Sequence, residues 1–558
     1  MFLKLWGRIQ RCFTRNSGFI LLFFILNYFT MAWSLTHQHQ FELLIESAAM
    51  LLLGTMIFSA VLEKLTPQKI LPYVKKVILF LCFIPFVVEL FVMYNYRALI
   101  GAGIINSLLE TNFKESLEFL KMYIGVKELC AIAGAVAVII IGWRLHLWKR
   151  IQISYHRQSR LLGLSLILCI AAAIPAMAVY SDFILYQLLP MQRTYTAMGT
   201  AIDNMKAYHR LSEKMTSTVS LTRNESKIKN VIFILGESTN RNHMQLYGYY
   251  LPNSPHLMKL QEKGEIAVFK DIVSPHSTTI AVLSELFTFC DHESGKPWYE
   301  YNTLIDVMHA AGYKTFWLSN QESSGAWGNV AQIYANHSDY HKFTRIRDSL
   351  EDTGILDGEL FPLIDESKAL RSDDKNFFVV HLMGGHGLYY NRYPYEFNKF
   401  TGKDIKLNVS ERFKEVVAQY DNALYYNDYV VDEIINRFRD DEAIVIYVPD
   451  HAEAVYDEGS VAGHIEENPN RHMIEIPMIV WASNKFKEKY PDKWEQIQGA
   501  VDRPYMTDDM IHTILDLTDI ATEDYRSDKS LINEEFDASR PRIFNDLNYD
   551  TQIREKKL

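Results

Sequence analysis

Five apolar stretches in the first third of the chain, at 18–35, 43–62, 77–94, 129–148 and 161–186, restrict the fold more than any other feature. Each is close to the roughly 20 residues that a helix needs to cross a bilayer, and lipid admits helices because their backbone polar groups are satisfied internally. A cleaved signal peptide does not account for the first stretch, since four more follow it. Lys4, Arg8, Arg11 and Arg15 precede the first, and Lys64, Lys69, Lys75 and Lys76 separate the second from the third. Arg144, Lys149, Arg150, Arg157 and Arg160 surround the loop between the fourth and fifth. Positive segments stay inside, so the amino terminus is expected in the cytoplasm and everything beyond 186 outside.

Charge divides the chain in the same place. Residues 1–227 hold 23 Lys+Arg and 12 Asp+Glu, a net of +11; of the totals of 57 and 67 this leaves 34 and 55, a net of −21, for 228–558. A basic part followed by an acidic part indicates two environments and argues against nucleic-acid binding. Four of the five cysteines precede residue 170, leaving Cys290 alone in the acidic part, which therefore has no internal disulfide. Its stability must come from a core and a bound metal.

The expected organisation is a five-span transmembrane domain over 1–186, an interfacial amphipathic helix and linker over 187–229, and an extracytoplasmic α/β domain over 230–558. Glu42, Glu46 and Glu89, near span ends, read as snorkelling or as facing other helices. Asn106 and Glu115 stand in a polar loop between spans three and four that, by composition, reads as an interfacial helix with a solvated side.

In the outer part, the run Asn230-Val-Ile-Phe-Ile-Leu-Gly236 is apolar on both faces, as a central parallel strand is, and Glu237 follows directly. Ala443-Ile-Val-Ile-Tyr-Val-Pro449 repeats the form and is followed by Asp450-His451, and a third run from Phe377 leads to His386. Ligands in such sheets sit beyond the carboxyl ends of strands, and carboxylates with imidazole suit a divalent metal, above all zinc. Helical stretches alternate with further strands near 313–319 and 476–481, which predicts a mostly parallel sheet covered by helices. Between the strands, Ser274-Pro-His-Ser-Thr-Thr-Ile280 opens a helical pattern. A hydroxyl there can be an ordinary cap or a nucleophile that meets free N–H groups and a positive dipole end.

Gly236-Glu237-Ser238, Thr279-Ile280, His386-Gly387 with Arg392-Tyr-Pro394, Tyr420-Asp-Asn422 and Asp450-His451, behind five spans, resemble the bacterial phosphoethanolamine transferases of the alkaline phosphatase and sulfatase superfamily. The resemblance implies that phosphoethanolamine passes from phosphatidylethanolamine, through a covalent intermediate on a metal-bound Thr, to a lipopolysaccharide-type acceptor, a core sugar or lipid A. By it, Glu237, Thr279, Asp450 and His451 hold one zinc ion, with a second admitted during turnover. Thr279 is the nucleophile, with Thr278 as the alternative. His386, His464, Asn320, Asn106 and Glu115 bind substrate, with His472 competing for the place of His464. The enzyme would lie in the bacterial inner membrane with a periplasmic catalytic domain.

This sequence departs from the family pattern at Ala452, usually Gly, and at Leu388, often Pro. It also lacks cysteines around Thr279, as the core-heptose subgroup does and the mobile colistin-resistance type does not. A phosphoglycerol transferase of the lipoteichoic-acid type and a non-enzymatic envelope assembly protein are the alternative functions. No Cys/Ser-x-Pro-x-Arg pattern is present, which argues against sulfatase chemistry.

Overall fold

The computed structural model describes residues 2–110, 189–214, 219–322, 330–345, 355–459 and 461–556. The fourth and fifth predicted spans, and Glu115, lie outside the described residues. The chain divides into two compact units; of the described residues, 2–106 and 189–201 belong to the first and 107–110 and those from 202 on to the second.

In the first unit, α1 (Phe2–His37), α2 (Phe41–Leu65) and α3 (Leu71–Tyr96) cover the first three predicted spans; Ala102–Glu110 forms α4, of which 102–106 belong to this unit. Arg15–His37 within α1, together with α2 and α3, is long and apolar enough to cross a membrane. Asn106 is half-buried on α4. Of the two readings of Glu89, the structure gives the helix-facing one. Its carboxylate is fully buried and accepts from Arg193 Nε and Nη2 at 2.7 and 2.6 Å, from Ile100 N at 3.2 Å and from the Thr30 hydroxyl. A charge removed from water needs such a paired and hydrogen-bonded setting. Arg193 comes from the first turn of α5 (Pro190–Lys214), the amphipathic helix expected after residue 187.

The second unit is built on a seven-stranded sheet. Its strands are β1 (Asn230–Gly236), β2 (Ile266–Phe269), β3 (Lys314–Glu322), β4 (Tyr340–Arg345), β5 (Asn376–His381), β6 (Ala443–Pro449) and β7 (Met478–Ala482). Their spatial order is β2-β7-β6-β1-β5-β3-β4. The run from β6 to β4 is parallel, and only β7 is antiparallel to its neighbours β2 and β6. The expected mostly parallel α/β sheet is therefore the observed one, and β1 is at its centre.

Alternation along each strand sends side chains to two covered faces. Val231, Phe233 and Leu235 of β1, with Val379 and Ile446, pack in one core with Val282, Leu283 and Leu286 of helix α6 (Thr279–Leu286). Ile232 and Ile234, with Phe378, Val380 and Val445, pack in the other with Val417, Val430 and Ile434 of α7 (Glu411–Arg437). All seven β1 residues are buried, which is why the strand reads as a continuous apolar run. Full burial of each large side chain contributes about 2 kcal/mol, so the central strands anchor the loops that follow them. Within the stretch read as a linker, Arg223–Asn224 pairs antiparallel with Ile520–Ala521.

Candidate active site

β1 and β6 are adjacent, parallel and in register, with Gly236 opposite Pro449. The residues that follow, Glu237 and Asp450, therefore leave the same edge of the sheet side by side, and His451 comes next. One ligand atom each of Glu237, Asp450 and His451 lies within 4.8 Å of the others, and all three residues are buried.

The backbone around these ligands is closely packed. Asp450 N donates to Gly236 O at 3.1 Å, Thr239 N to His451 O at 3.0 Å, and Gly385 N to Glu237 O at 2.9 Å. A Cβ on Gly384, whose φ is +46°, would lie 2.5 Å from Glu237 O, and one on Gly385 would lie 2.6 Å from Ser238 O. Only glycine allows this approach, so the Gly-Gly after β5 serves to seat the turn that carries Glu237. Tyr420 of α7 completes the seat by donating to Ser238 O at 2.8 Å and accepting from Asn240 N at 2.9 Å.

Further hydrogen bonds aim the ligands. Ser238 Oγ donates to Glu237 Oε1 at 2.7 Å, while Ser238 N and His451 N donate to Asp450 Oδ1 at 3.2 and 2.7 Å. His451 Nδ1 lies 2.9 Å from Ala452 O, which places the ring proton on Nδ1 and leaves the Nε2 lone pair facing the carboxylates. Burial, reinforced by Asp450, pushes the Glu237 carboxyl up to about 7. Burial also raises Asp450 and, with His464, lowers His451, which keeps the imidazole neutral. Among the described residues, Asp450 Oδ2 is buried without a hydrogen-bond donor. Two carboxylates forced together in a buried pocket, one oxygen unsatisfied, beside a neutral imidazole form a site that a divalent cation would complete.

Thr279 is the first residue of α6, and its Oγ1 donates to Glu237 Oε2 at 3.1 Å and lies 3.5 Å from His451 Nε2. Thr278 directs its hydroxyl elsewhere, to Glu466 Oε1 at 3.1 Å. The structure thus brings Thr279, not Thr278, to Glu237 and His451.

His464 lies against His451 with ring centroids 4.2 Å apart and planes tilted by 50°, and its Nδ1 lies 2.5 Å from Glu453 Oε2. Burial opposes its charge, but Glu453 outweighs burial and raises the imidazole to about 9. His472 belongs to a different group, with Nδ1 3.5 Å from Asp457. His386 is half-buried in a loop that Arg392 ties down through His386 O at 2.8 Å and Gly387 O at 2.7 Å. Leu388 in that loop has a φ of +54°, which the fixed ring of proline could not adopt. Ala452, by contrast, does not need the left-handed conformation that would favour glycine.

Asn320 is fully buried, donates to Asp357 Oδ1 at 2.7 Å and accepts from the Thr344 hydroxyl at 2.5 Å. Gln321, the next residue, reaches Glu237 Oε2 at 3.1 Å through Nε2. Sequence reasoning missed Gln321. No local pattern marks it, because Asn320 and Gln321 lie in a bulge of β3 between the pairs Ser319–Phe343 and Glu322–Arg345, and a bulge re-aims side chains.

A buried metal pocket facing a hydroxyl at the start of a helix, at the carboxyl edge of a parallel sheet, defines a group-transfer enzyme of the alkaline phosphatase superfamily. The chain belongs to the sulfatase family, whose model matches residues 229–520, and residues 55–187 match the model described as phosphoethanolamine transferase EptA/EptB. It is 27% identical over 460 residues to phosphoethanolamine transferase EptC of Escherichia coli O18:K1:H7, covering 77% of each chain. The periplasmic domain of Escherichia coli EptC, solved in complex with zinc, is 29% identical and superposes with a TM-score of 0.55, covering 60% of this chain and 96% of that one. The integral membrane lipooligosaccharide phosphoethanolamine transferase A of Neisseria meningitidis, 18% identical, shares the fold over 92% of this chain and 98% of its own, with a TM-score of 0.64.

Proposed function

We propose that the protein is an inner-membrane phosphoethanolamine transferase that takes its group from phosphatidylethanolamine and delivers it to a lipopolysaccharide-type acceptor. The observation that carries this reading is the Thr279 hydroxyl, held 3.1 Å from Glu237 Oε2 and 3.5 Å from His451 Nε2. Glu237, Asp450, His451 and the Thr279 oxygen are the donors for one firmly held zinc ion. When bound, zinc supplies Lewis acidity that lowers the pKa of the hydroxyl and offsets charge on the phosphoryl group.

Thr279 Oγ1 attacks phosphorus, the bond from phosphorus to the diacylglycerol oxygen breaks, and that oxygen gains a proton as diacylglycerol leaves. The acceptor hydroxyl then displaces Thr279 from phosphorus. The free N–H groups of the first turn of α6 face a phosphoryl group on this oxygen. His464, charged through Glu453, and His386 serve as the substrate-side imidazoles. Asn106 and Glu115 are assigned to the lipid donor, whereas Asn320, expected beside them, is fully buried with its amide held by Asp357 and Thr344 and acts at most from behind the site.

Mass spectrometry of envelope glycolipids from cells with and without the gene tests the function. A phosphoethanolamine increment that depends on the gene is the expected result, and its fragment names the acceptor. A phosphoglycerol increment, or no gene-dependent increment, refutes the reading.

The proposed topology places the amino terminus in the cytoplasm and the catalytic domain in the periplasm, supported by the positive charges that flank the first three spans. A reporter active only outside the cytoplasm should work when fused after Tyr186 and be silent after Lys149. The reverse pattern would rule the topology out.

A further inference from the structure

One carboxylate from a distant loop grips the peptide that leads into α6. Glu466 Oε1 accepts from Ser277 N at 2.7 Å, from Thr278 Oγ1 at 3.1 Å and from Ser277 Oγ at 3.4 Å. Glu466 Oε2 accepts from Asn545 Nδ2 at 3.0 Å and lies 3.2 Å from His276 Nδ1. The other ring nitrogen of His276 lies 3.4 Å from Glu285 Oε1, near the end of α6. One acid thus meets three consecutive residues before the helix, and through His276 it also reaches the helix's last turn.

Thr278 is the cap residue of α6, with extended φ −128° and ψ 138°, yet its side chain makes no capping hydrogen bond to the helix. An ordinary Thr cap turns its oxygen inward to a free N–H of the first turn and so fixes where the helix begins. Here that local device is replaced by a tertiary one. Its consequence is rotational, because neighbouring residues of a helix differ by about 100° in direction at 3.6 residues per turn. A shift of one residue at the start of α6 would present Thr278 or Ile280 to Glu237 instead of Thr279.

We infer that Glu466 is a positioning residue for the nucleophile: it occupies the Thr278 hydroxyl and the Ser277 amide, so that α6 starts with Thr279 Oγ1 turned to Glu237 and His451. The inference rests on Thr279 being the nucleophile. His276 and Asn545 hold Glu466 in turn. Burial opposes charge on Glu466, but His276 and the Ser277 amide outweigh it and keep the carboxyl down at about 2, so the acid remains a charged acceptor across the working range.

The test uses the full-length, zinc-loaded protein in detergent micelles containing phosphatidylethanolamine, with diacylglycerol release as the assay and kcat expressed per bound zinc. Glu466→Ala should lower kcat at least tenfold, with KM for the lipid within about twofold, as expected when a reacting atom is misplaced while substrate binding is untouched. Glu466→Gln keeps an acceptor oxygen and should recover kcat to within about threefold of the parent.

A role confined to stability would lower the yield of zinc-loaded protein and leave kcat per zinc unchanged. That outcome overturns the inference, as does a Glu466→Gln variant as impaired as Glu466→Ala. If Glu466→Ala does not fold, Thr278→Val decides: a fall in kcat of about threefold supports the inference and an unchanged kcat overturns it. Thr279→Ala, measured in parallel, separates the two readings. If it remains active, the nucleophile assignment fails by itself; if it is inactive while Glu466→Ala is normal, only the positioning role fails.

Discussion

Thr279→Ala should lose at least about 10⁴-fold in transfer to the acceptor and in diacylglycerol release, while the protein folds and retains most of its metal. The reason lies in the geometry of α6. Thr279 Oγ1 is the hydroxyl within 3.5 Å of both Glu237 and His451, and alanine leaves the buried packing of Val282, Leu283 and Leu286 intact. Thr278→Ala should cost far less, since its hydroxyl contacts Glu466 and no metal ligand.

The measurement is peptide mapping of the intact protein after incubation with phosphatidylethanolamine and no acceptor. A phosphoethanolamine adduct should sit on Thr279 and be absent from Thr279→Ala. An adduct on Thr278, or release of diacylglycerol unchanged in Thr279→Ala, would sink the assignment while leaving the metal site standing.

The second large effect concerns the metal itself. Asp450→Ala removes the carboxylate whose Oδ2 is buried without a donor, and it should weaken zinc binding by more than about a hundredfold, beyond what loss of an outer hydrogen bond costs. His472→Ala should leave zinc content unchanged, because His472 is grouped with Asp457 rather than with the ligands.

The pH dependence has a definite sign. Burial and then Asp450 raise the Glu237 carboxyl to about 7 in the metal-free pocket, so protons compete with zinc as the pH falls through 7. A carboxyl whose folded pKa lies above its unfolded value near 4.5 stabilises the metal-free protein below 4.5, and that contribution is lost as pH rises through about 7. Chelator should therefore destabilise the protein more at pH 8 than at pH 5.5. Thermal unfolding with and without chelator at the two values checks this, and equal shifts would show that burial beside Asp450 does not raise the Glu237 carboxyl.

Several parts of this architecture were legible in the chain because they depend on local pattern. Apolar length marks the first three spans, since a bilayer crossing needs a fixed number of residues whatever their partners. Continuous apolar runs mark β1, β5 and β6, because strands buried on both faces have no polar side to show. Glu237 and Asp450-His451 stand out because each ends such a run.

What brings them together is not local. Glu237 and Asp450 are 213 positions apart, and they converge because β1 and β6 pair in parallel with Gly236 opposite Pro449. Adjacent threonines are equivalent in composition and in spacing. Tertiary contacts of Glu466 on one side and Glu237 on the other set the rotation of α6, and so decide which hydroxyl faces the metal ligands. The same holds for Gln321 against Asn320, where a bulge in β3 leaves one amide on Glu237 and the other on Asp357. Glu89 reads equally well as snorkelling in the sequence, but Arg193, 104 residues away, lies against it, because the partner of a buried charge is chosen by the fold. Residue type and run length thus determined, from the sequence alone, which chemistry the chain carries and on which elements. The direction of each side chain was decided only when strands paired and helices packed, because a turn of one residue redirects a hydroxyl by about 100° on a helix and by half a turn on a strand.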